Sequence, residues 1–203
     1  MSESSTLLTR LPLFPLKTVL FPEGVLPLRV FEPRYMDMVT RCMREGTPFG
    51  VCLIAAGDEV GEAAVPHPVG TEAHIEQWDM EQAGLLTLLT RGGRRFRIVD
   101  HEVERDGLLV GEVRWLDEPA PQPMPNAQLD LLPLLQTIVA ELGDRLPPPH
   151  RFDDAGWVGA RYAELLPVPL EAKQRLLELD DVVSRLEILQ QFLREHGLLP
   201  KLA

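Results

Sequence analysis

Residues 11–35 read LPLFPLKTVLFPEGVLPLRVFEPRY, an apolar run interrupted by Pro12, Pro15, Pro22, Pro27 and Pro33. Proline inside a helix removes an amide hydrogen bond and clashes with the preceding turn, and inside a central strand it removes a ladder bond. The Leu, Val and Phe between the prolines carry too much apolar surface for a solvated polyproline linker. Prolines are tolerated at strand starts, sheet edges and bulges and in the first turn of a helix. The stretch therefore reads as a kinked strand pair leading into a helix at Pro33.

That helix is PRYMDMVTRCMREG, ended by Gly46, with Tyr35, Met38, Val39 and Cys42 at the i, i+3, i+4, i+7 spacing of a buried face. Beyond it, FGVCLIAAG (49–57) reads as a short buried strand. GTEAHIEQW (70–78) alternates Thr71, Ala73 and Ile75 with polar neighbours, as a half-buried strand does. Residues 84–116 read as two hairpins, one turning at Gly92-Gly93 and one at Asp106-Gly107, with Phe96 and Ile98 on one face and Arg95 and Arg97 on the other. Many short strands separated by turns point to a small barrel rather than a doubly wound sheet.

After DEPAPQPMPNAQ (117–128) the pattern changes to helical spacing. Asp130 is expected to cap a helix stopped by Gly143, Asp153 or Asp154 the next, Pro169 to begin a third, and Asp181 to cap the last. In that last helix Val182, Leu186, Leu189 and Leu193 form the inward stripe. The expected organisation is an α+β chain, with a β lobe over 1–118, a proline-rich linker over 119–128 and a helical bundle over 129–203.

With 203 residues, a formal net charge of −11 and 45% hydrophobic residues, the chain has the composition of an ordinary globular protein, apart from its 19 prolines. Net acidity disfavours nucleic acid as a partner. Arg91, Arg94, Arg95 and Arg97 form the one dense basic cluster, read as a solvated strand face in preference to a phosphate site. Cys42 and Cys52 have no metal or redox spacing, and the five histidines show no metal motif, so no metal and no cofactor is expected. The start lacks the features of a signal peptide and no apolar run is long enough to span a membrane, which leads to the expectation of a cytoplasmic protein. There is no Walker loop, dinucleotide fingerprint or GxSxG elbow. A Ser-Lys dyad would require Ser184 to meet a lysine from elsewhere, so no catalytic residue is expected.

LPLFPLKTVLFPEGVLPLRVFEPRY, GGRRFRIVD and LPVPLEAKQRLLELDDVVSRLEILQQFL, in this order and over most of the chain, resemble the amino-terminal substrate-binding domain of Lon proteases. The resemblance implies a PUA-like pseudo-barrel followed by a helical bundle. It also implies recognition of unfolded or extended polypeptides, without the ATPase and peptidase modules that accompany this region in Lon. Such a module would act as an adaptor or chaperone-like binder, with a separate protease or ATPase as an optional partner. RNA binding, a hidden hydrolase and a purely structural role in a larger complex are the alternatives. Phe14, Phe21, Pro22, Phe31 and Tyr35 are the candidates for an exposed apolar surface, with the barrel core as their other possible place. Glu32 with Arg34 or Arg95 is the expected ion pair fixing the helix start.

Overall fold

The computed structural model describes residues 7–199 and divides into two compact units at Asp117/Glu118. The first holds six strands, β1 (Thr9–Leu16), β2 (Val25–Val30), β3 (Phe49–Ala56), β4 (Val65–Gln82), β5 (Leu85–Val103) and β6 (Leu109–Trp115), with helix α1 (Pro33–Glu45) between β2 and β3. Their order is β2-β5-β4-β3-β1-β6, and a further β5–β6 pairing closes five of them into a barrel while β2 remains outside the ring.

The proline pattern is explained by how β1 changes partner. Thr9–Leu13 pairs antiparallel with β6, and Leu13–Leu16 pairs parallel with β3. Pro12 and Pro15 therefore each lie where the strand has a neighbour on one side only, so a missing N–H can face away from the ladder. Pro27 sits on β2, which pairs only with β5, and Pro33 opens α1. The two strands expected to form a pair do not touch as one: β1 joins β3 and β6, while β2 joins β5.

Helix α1 buries Tyr35, Met38, Val39 and Cys42 and ends at Gly46, whose φ of 65° is left-handed. Those side chains join Phe14, Phe49 and Leu88 in one core cluster, while Leu13, Cys52, Phe96 and Val113 form another.

The expected hairpin at Gly92-Gly93 is corrected: β5 runs through both glycines, and the chain reverses at Gly84, with φ 83°. The glycine pair serves close approach instead. A Cβ on Gly92 would lie 2.2 Å from the Phe21 carbonyl oxygen, and one on Gly93 would lie 2.6 Å from Glu72 Oε1. Here β5 also carries an extra residue against β4, the register passing from Thr71↔Arg95 to Ala73↔Gly92. The Asp106-Gly107 turn forms as expected, with Gly107 at φ 86°.

The second unit has a short 3-10 turn (Asn126–Leu131) and helices α2 (Leu132–Leu142), α3 (Ala155–Leu165), α4 (Leu170–Glu178) and α5 (Val182–Glu195). Asp154 caps α3 by accepting from the Gly156 amide at 3.0 Å, and Asp181 caps α5 by accepting from the Ser184 amide at 2.8 Å. Asp130 is no cap. The 3-10 turn leads straight into α2, so the carboxylate turns to α5, accepting from Gln190 Nε2 and pairing with Arg194 at 2.8 Å. Val182, Leu186, Leu189 and Leu193 are buried as one stripe. Residues 122–124 of the proline-rich segment are tied to this unit: the Ala155 amide donates to the Gln122 carbonyl and the Met124 amide to that of Asp153.

Candidate functional site

Between β1 and β2 the chain turns through Phe21–Gly24, and this turn is stitched to β5 where that strand changes neighbour. The Glu23 amide donates to the Gly92 carbonyl and the Gly92 amide to the Gly24 carbonyl, both at 2.8 Å. The Thr71 hydroxyl donates to the Leu20 carbonyl at 2.6 Å. The turn is thus held on the barrel by backbone bonds, which is why β5 must be glycine at 92. Phe21 is driven inward by this arrangement, and Pro22 remains half-buried.

Phe14 and Tyr35 likewise belong to the interior, stacked on each other with ring centroids 4.0 Å apart. Burial pushes the Tyr35 phenol pKa upward. Three of the five residues expected on an exposed surface, Phe14, Phe21 and Tyr35, are therefore core in this conformation. The physical reason is that large rings beside a helix and a closing barrel gain most by leaving water. Phe31, in contrast, is 55% exposed at the end of β2.

The start of α1 is fastened as an ionic cluster. Arg34 places Nη2 3.0 Å from Glu32 Oε2, off the line of a hydrogen bond, donates from Nη1 to the Gly107 carbonyl at 2.9 Å, and lies over the Tyr35 ring at 4.7 Å. The close pass of Arg34 by Gly107 couples the β5–β6 turn to the helix start. Arg95 is only 1% exposed and sits on β5 opposite Thr71.

The basic cluster is a solvated face only in part, with Arg94 exposed and Arg91 and Arg97 half-buried. Arg95 is interior, Arg91 pairs with Glu76 (Nη2 to Oε2 3.2 Å), and Arg94 pairs with Glu72 (Nε to Oε1 3.3 Å). Glu72, 5% exposed, also accepts from the Arg94 amide at 2.9 Å and faces His74 Nε2 at 3.4 Å. Alternation had put Glu72 outside. It is buried all the same, because Arg94 and His74 cover it and Gly93, where a Cβ would lie 2.6 Å from Glu72 Oε1, leaves it room, and the Gly92-Gly93 doublet was the available sign of that close approach. Arg94 covers the Trp115 ring at 4.2 Å, and Trp115 donates to the Thr9 hydroxyl at 3.0 Å.

These groups border a groove of about 590 Å³ between β1, β4, β6 and the C-terminal half of α1, whose wall includes Arg41, Pro48, His74 and Trp115. Its lining combines apolar residues such as Pro12 and Val110 with charges of both signs. Cys42 and Cys52 are free thiols whose burial raises their pKa away from the reactive thiolate. Lys173, its pKa lowered by burial, donates to the Glu164 carbonyl at 2.6 Å, and Ser184 stands in the first turn of α5. Among the described residues no His, Cys, Asp and Glu group is placed to hold a metal ion.

Outside the core, the ribbon formed by β2, β5 and the distal half of β4 has an outward face. Registers align Pro27 with Leu89 and Gln77, and Arg29 with Thr87 and Asp79. Pro27, Arg29, Gln77 and Asp79 are exposed, and Leu89 and Thr87 are half-buried. Along the edge of the same ribbon, Trp78 is 59% and Met80 49% exposed.

Comparison with known proteins places this geometry. Residues 10–195 match the family described as the ATP-dependent protease La (LON) substrate-binding domain. A crystal structure of a Lon N-terminal domain protein from Xanthomonas campestris superimposes with a TM-score of 0.76 at 41% identity, covering 90% of this chain and 98% of that one. The Lon protease of Xanthomonas oryzae pv. oryzae is 31% identical over 199 residues, which are 93% of this chain and 23% of that protein. The N-terminal domain of a Mycobacterium avium complex Lon protease shares the fold, with a TM-score of 0.63 at 18% identity over 93% of this chain and all of that domain. The chain spans about a quarter of the length of the curated Lon proteases it matches.

Proposed function

Because this chain belongs to the Lon substrate-binding domain family, we propose that it is a non-catalytic module that recognises unfolded or extended polypeptide, as an adaptor or chaperone-like protein. The observation that carries the reading is the family match over residues 10–195, nearly the whole chain. The exposed apolar side chains of the β2–β5–β4 ribbon, Phe31 and Trp78 foremost, supply the kind of surface such a role needs. In this reading the first unit is the PUA-like pseudo-barrel of the family. Of the five apolar candidates, Phe31 makes the main contact and Pro22 a lesser one. Glu32 and Arg34 hold the helix start, and Arg95 braces the interior. A separate protease or ATPase is the natural recipient of the bound polypeptide.

Among the described residues no helix is long and apolar enough to cross a membrane, which is compatible with a cytoplasmic site of action. RNA binding is disfavoured by the net charge of −11, and Arg91 and Arg94 each already face a carboxylate, Glu76 and Glu72.

The test is fluorescence anisotropy of a labelled, permanently unfolded polypeptide titrated with the protein in the absence of ATP, beside a folded control of matched charge. Saturable binding of the unfolded chain alone is expected, weakened by Phe31→Ala. Equal binding of the folded control, or none of either, overturns the reading.

A further inference from the structure

Beyond Ala73, β4 leaves the side of β3, whose first residue, Phe49, is the partner of Ala73. From His74 to Met80 the strand pairs only with β5. The N–H and C=O groups that alternate along its outer side have no backbone partner among the described residues. Glu76 and a residue near the turn are extra in the register, leaving Gln77–Asp79 as a regular run paired with Thr87–Leu89. The sheet's other open edge, β2, carries Pro27 in its middle, a residue that blocks strand pairing. The β4 edge has no proline or lysine from His74 to Met80 and instead exposes Trp78 and Met80.

Charge distinguishes the possible occupants. The outer run carries Glu76 and Asp79 and no cation; Glu76 is held by Arg91, whereas Asp79 makes no ion pair with a described residue. Two copies paired through this edge would bring like charges together, which disfavours the second copy. A basic, apolar strand would be complementary. The groove described above adjoins the start of the edge, since His74 belongs to both, and it gives an incoming segment room to continue past the end of β3.

We propose that the outer edge of β4, residues 75–80, takes an extended polypeptide segment of alternating apolar and basic residues by strand addition. Trp78 and Met80 pack against its apolar side chains and Asp79 meets a basic one. This rests on the polypeptide-binding function proposed above and names where and how the polypeptide is held.

The probes are short labelled peptides: one alternating valine and lysine, the same peptide with alternate backbone amides N-methylated, and one alternating valine and glutamate. They are titrated against the full chain by anisotropy, with amide hydrogen exchange read residue by residue. The valine-lysine peptide is expected to bind and to protect amides within 75–80. N-methylation, replacement of lysine by glutamate, and Trp78→Ala are each expected to weaken binding by about tenfold or more. Because Trp78 is exposed, its variant is expected to keep the exchange pattern of the barrel core. Equal binding of the N-methylated peptide, or protection only outside 75–80, overturns strand addition. If an unfolded polypeptide binds the protein and its Trp78→Ala variant equally, the polypeptide-binding function stands and this edge is wrong. If no unfolded polypeptide binds at all, both fall. A dimer in sedimentation that protects 75–80 without peptide and is lost in Trp78→Ala identifies a second copy as the occupant and overturns the proposal.

Discussion

In the helical unit each well-defined start is set by a near neighbour: Asp154 reaches the Gly156 amide and Asp181 the Ser184 amide. In the barrel the corresponding contacts join distant parts of the chain. The Gly92 amide holds the Gly24 carbonyl, Thr71 holds Leu20, and Arg34 holds Gly107. The difference teaches that the two units should fail differently. Local capping errors fray one helix end, whereas an error at a barrel crossing disturbs strands far apart in sequence.

The strongest test of that contrast is core truncation in each unit. Phe96→Ala removes a fully buried ring shared by β4, β5 and β6 and is expected to destabilise by about 3–5 kcal/mol, against about 2–5 kcal/mol for Leu186→Ala. Amide exchange in the full chain checks it. Loss of protection spread over β1, β4, β5 and β6 is expected for Phe96→Ala, and uniform loss in both units would break the comparison.

A sharper probe adds a single methyl group. Gly92→Ala must push back the Phe21 carbonyl and is expected to cost about 1–3 kcal/mol, shown by a lower denaturation midpoint and by faster exchange at Glu23 and Gly92. An unchanged midpoint would mean that the Phe21–Gly24 turn is not held to β5 as described.

The smallest effects belong to the caps. Asp154→Ala is expected to cost about 1 kcal/mol, with faster exchange confined to the first turn of α3. At Asp181, hydrogen bonds from the Ser184 hydroxyl and then its amide lower the carboxyl pKa. Its contribution is therefore fully present above the ordinary aspartate range and is lost as pH falls through the lower folded value. Acid titration followed at the first turn of α5 should show this fraying, and Asp181→Asn should remove the pH dependence while largely keeping the cap.

Much of the helical unit was legible because its signals are local. Asp154, Asp181 and the Val182–Leu193 stripe act within one or two turns of their own helix, and α1 was likewise marked by Pro33 and Gly46. Asp130 was misread because a capping aspartate and one that salt-bridges a distant helix look alike in sequence. In the barrel the strands could be recognised but their partners could not. A Gly-Gly pair suits both a tight turn and a strand that another backbone approaches closely, and only the position of Phe21 distinguishes them.

The candidate surface shows the same limit. Phe14, Phe21, Phe31 and Tyr35 are all large aromatic residues in the sequence, yet barrel closure buries three of them and leaves Phe31 outside. Alternation with Thr71, Ala73 and Ile75 set Trp78 among polar neighbours, but that it stands on an open edge with Met80 depends on β3 beginning only at the level of Ala73, which no local pattern shows.

By itself the sequence determined the α+β class, the helix stops and caps, the family resemblance and the need for edge or one-sided positions at the prolines. These are properties of short spacings and of the backbone chemistry of single residues. Only the tertiary structure decided that β1 changes neighbour at Leu13, that Glu72 and Arg95 are buried, and that β4 keeps an open edge. Strand partners and burial are settled by contacts across tens of residues, where many pairings satisfy the same local pattern and closure of the sheet selects among them.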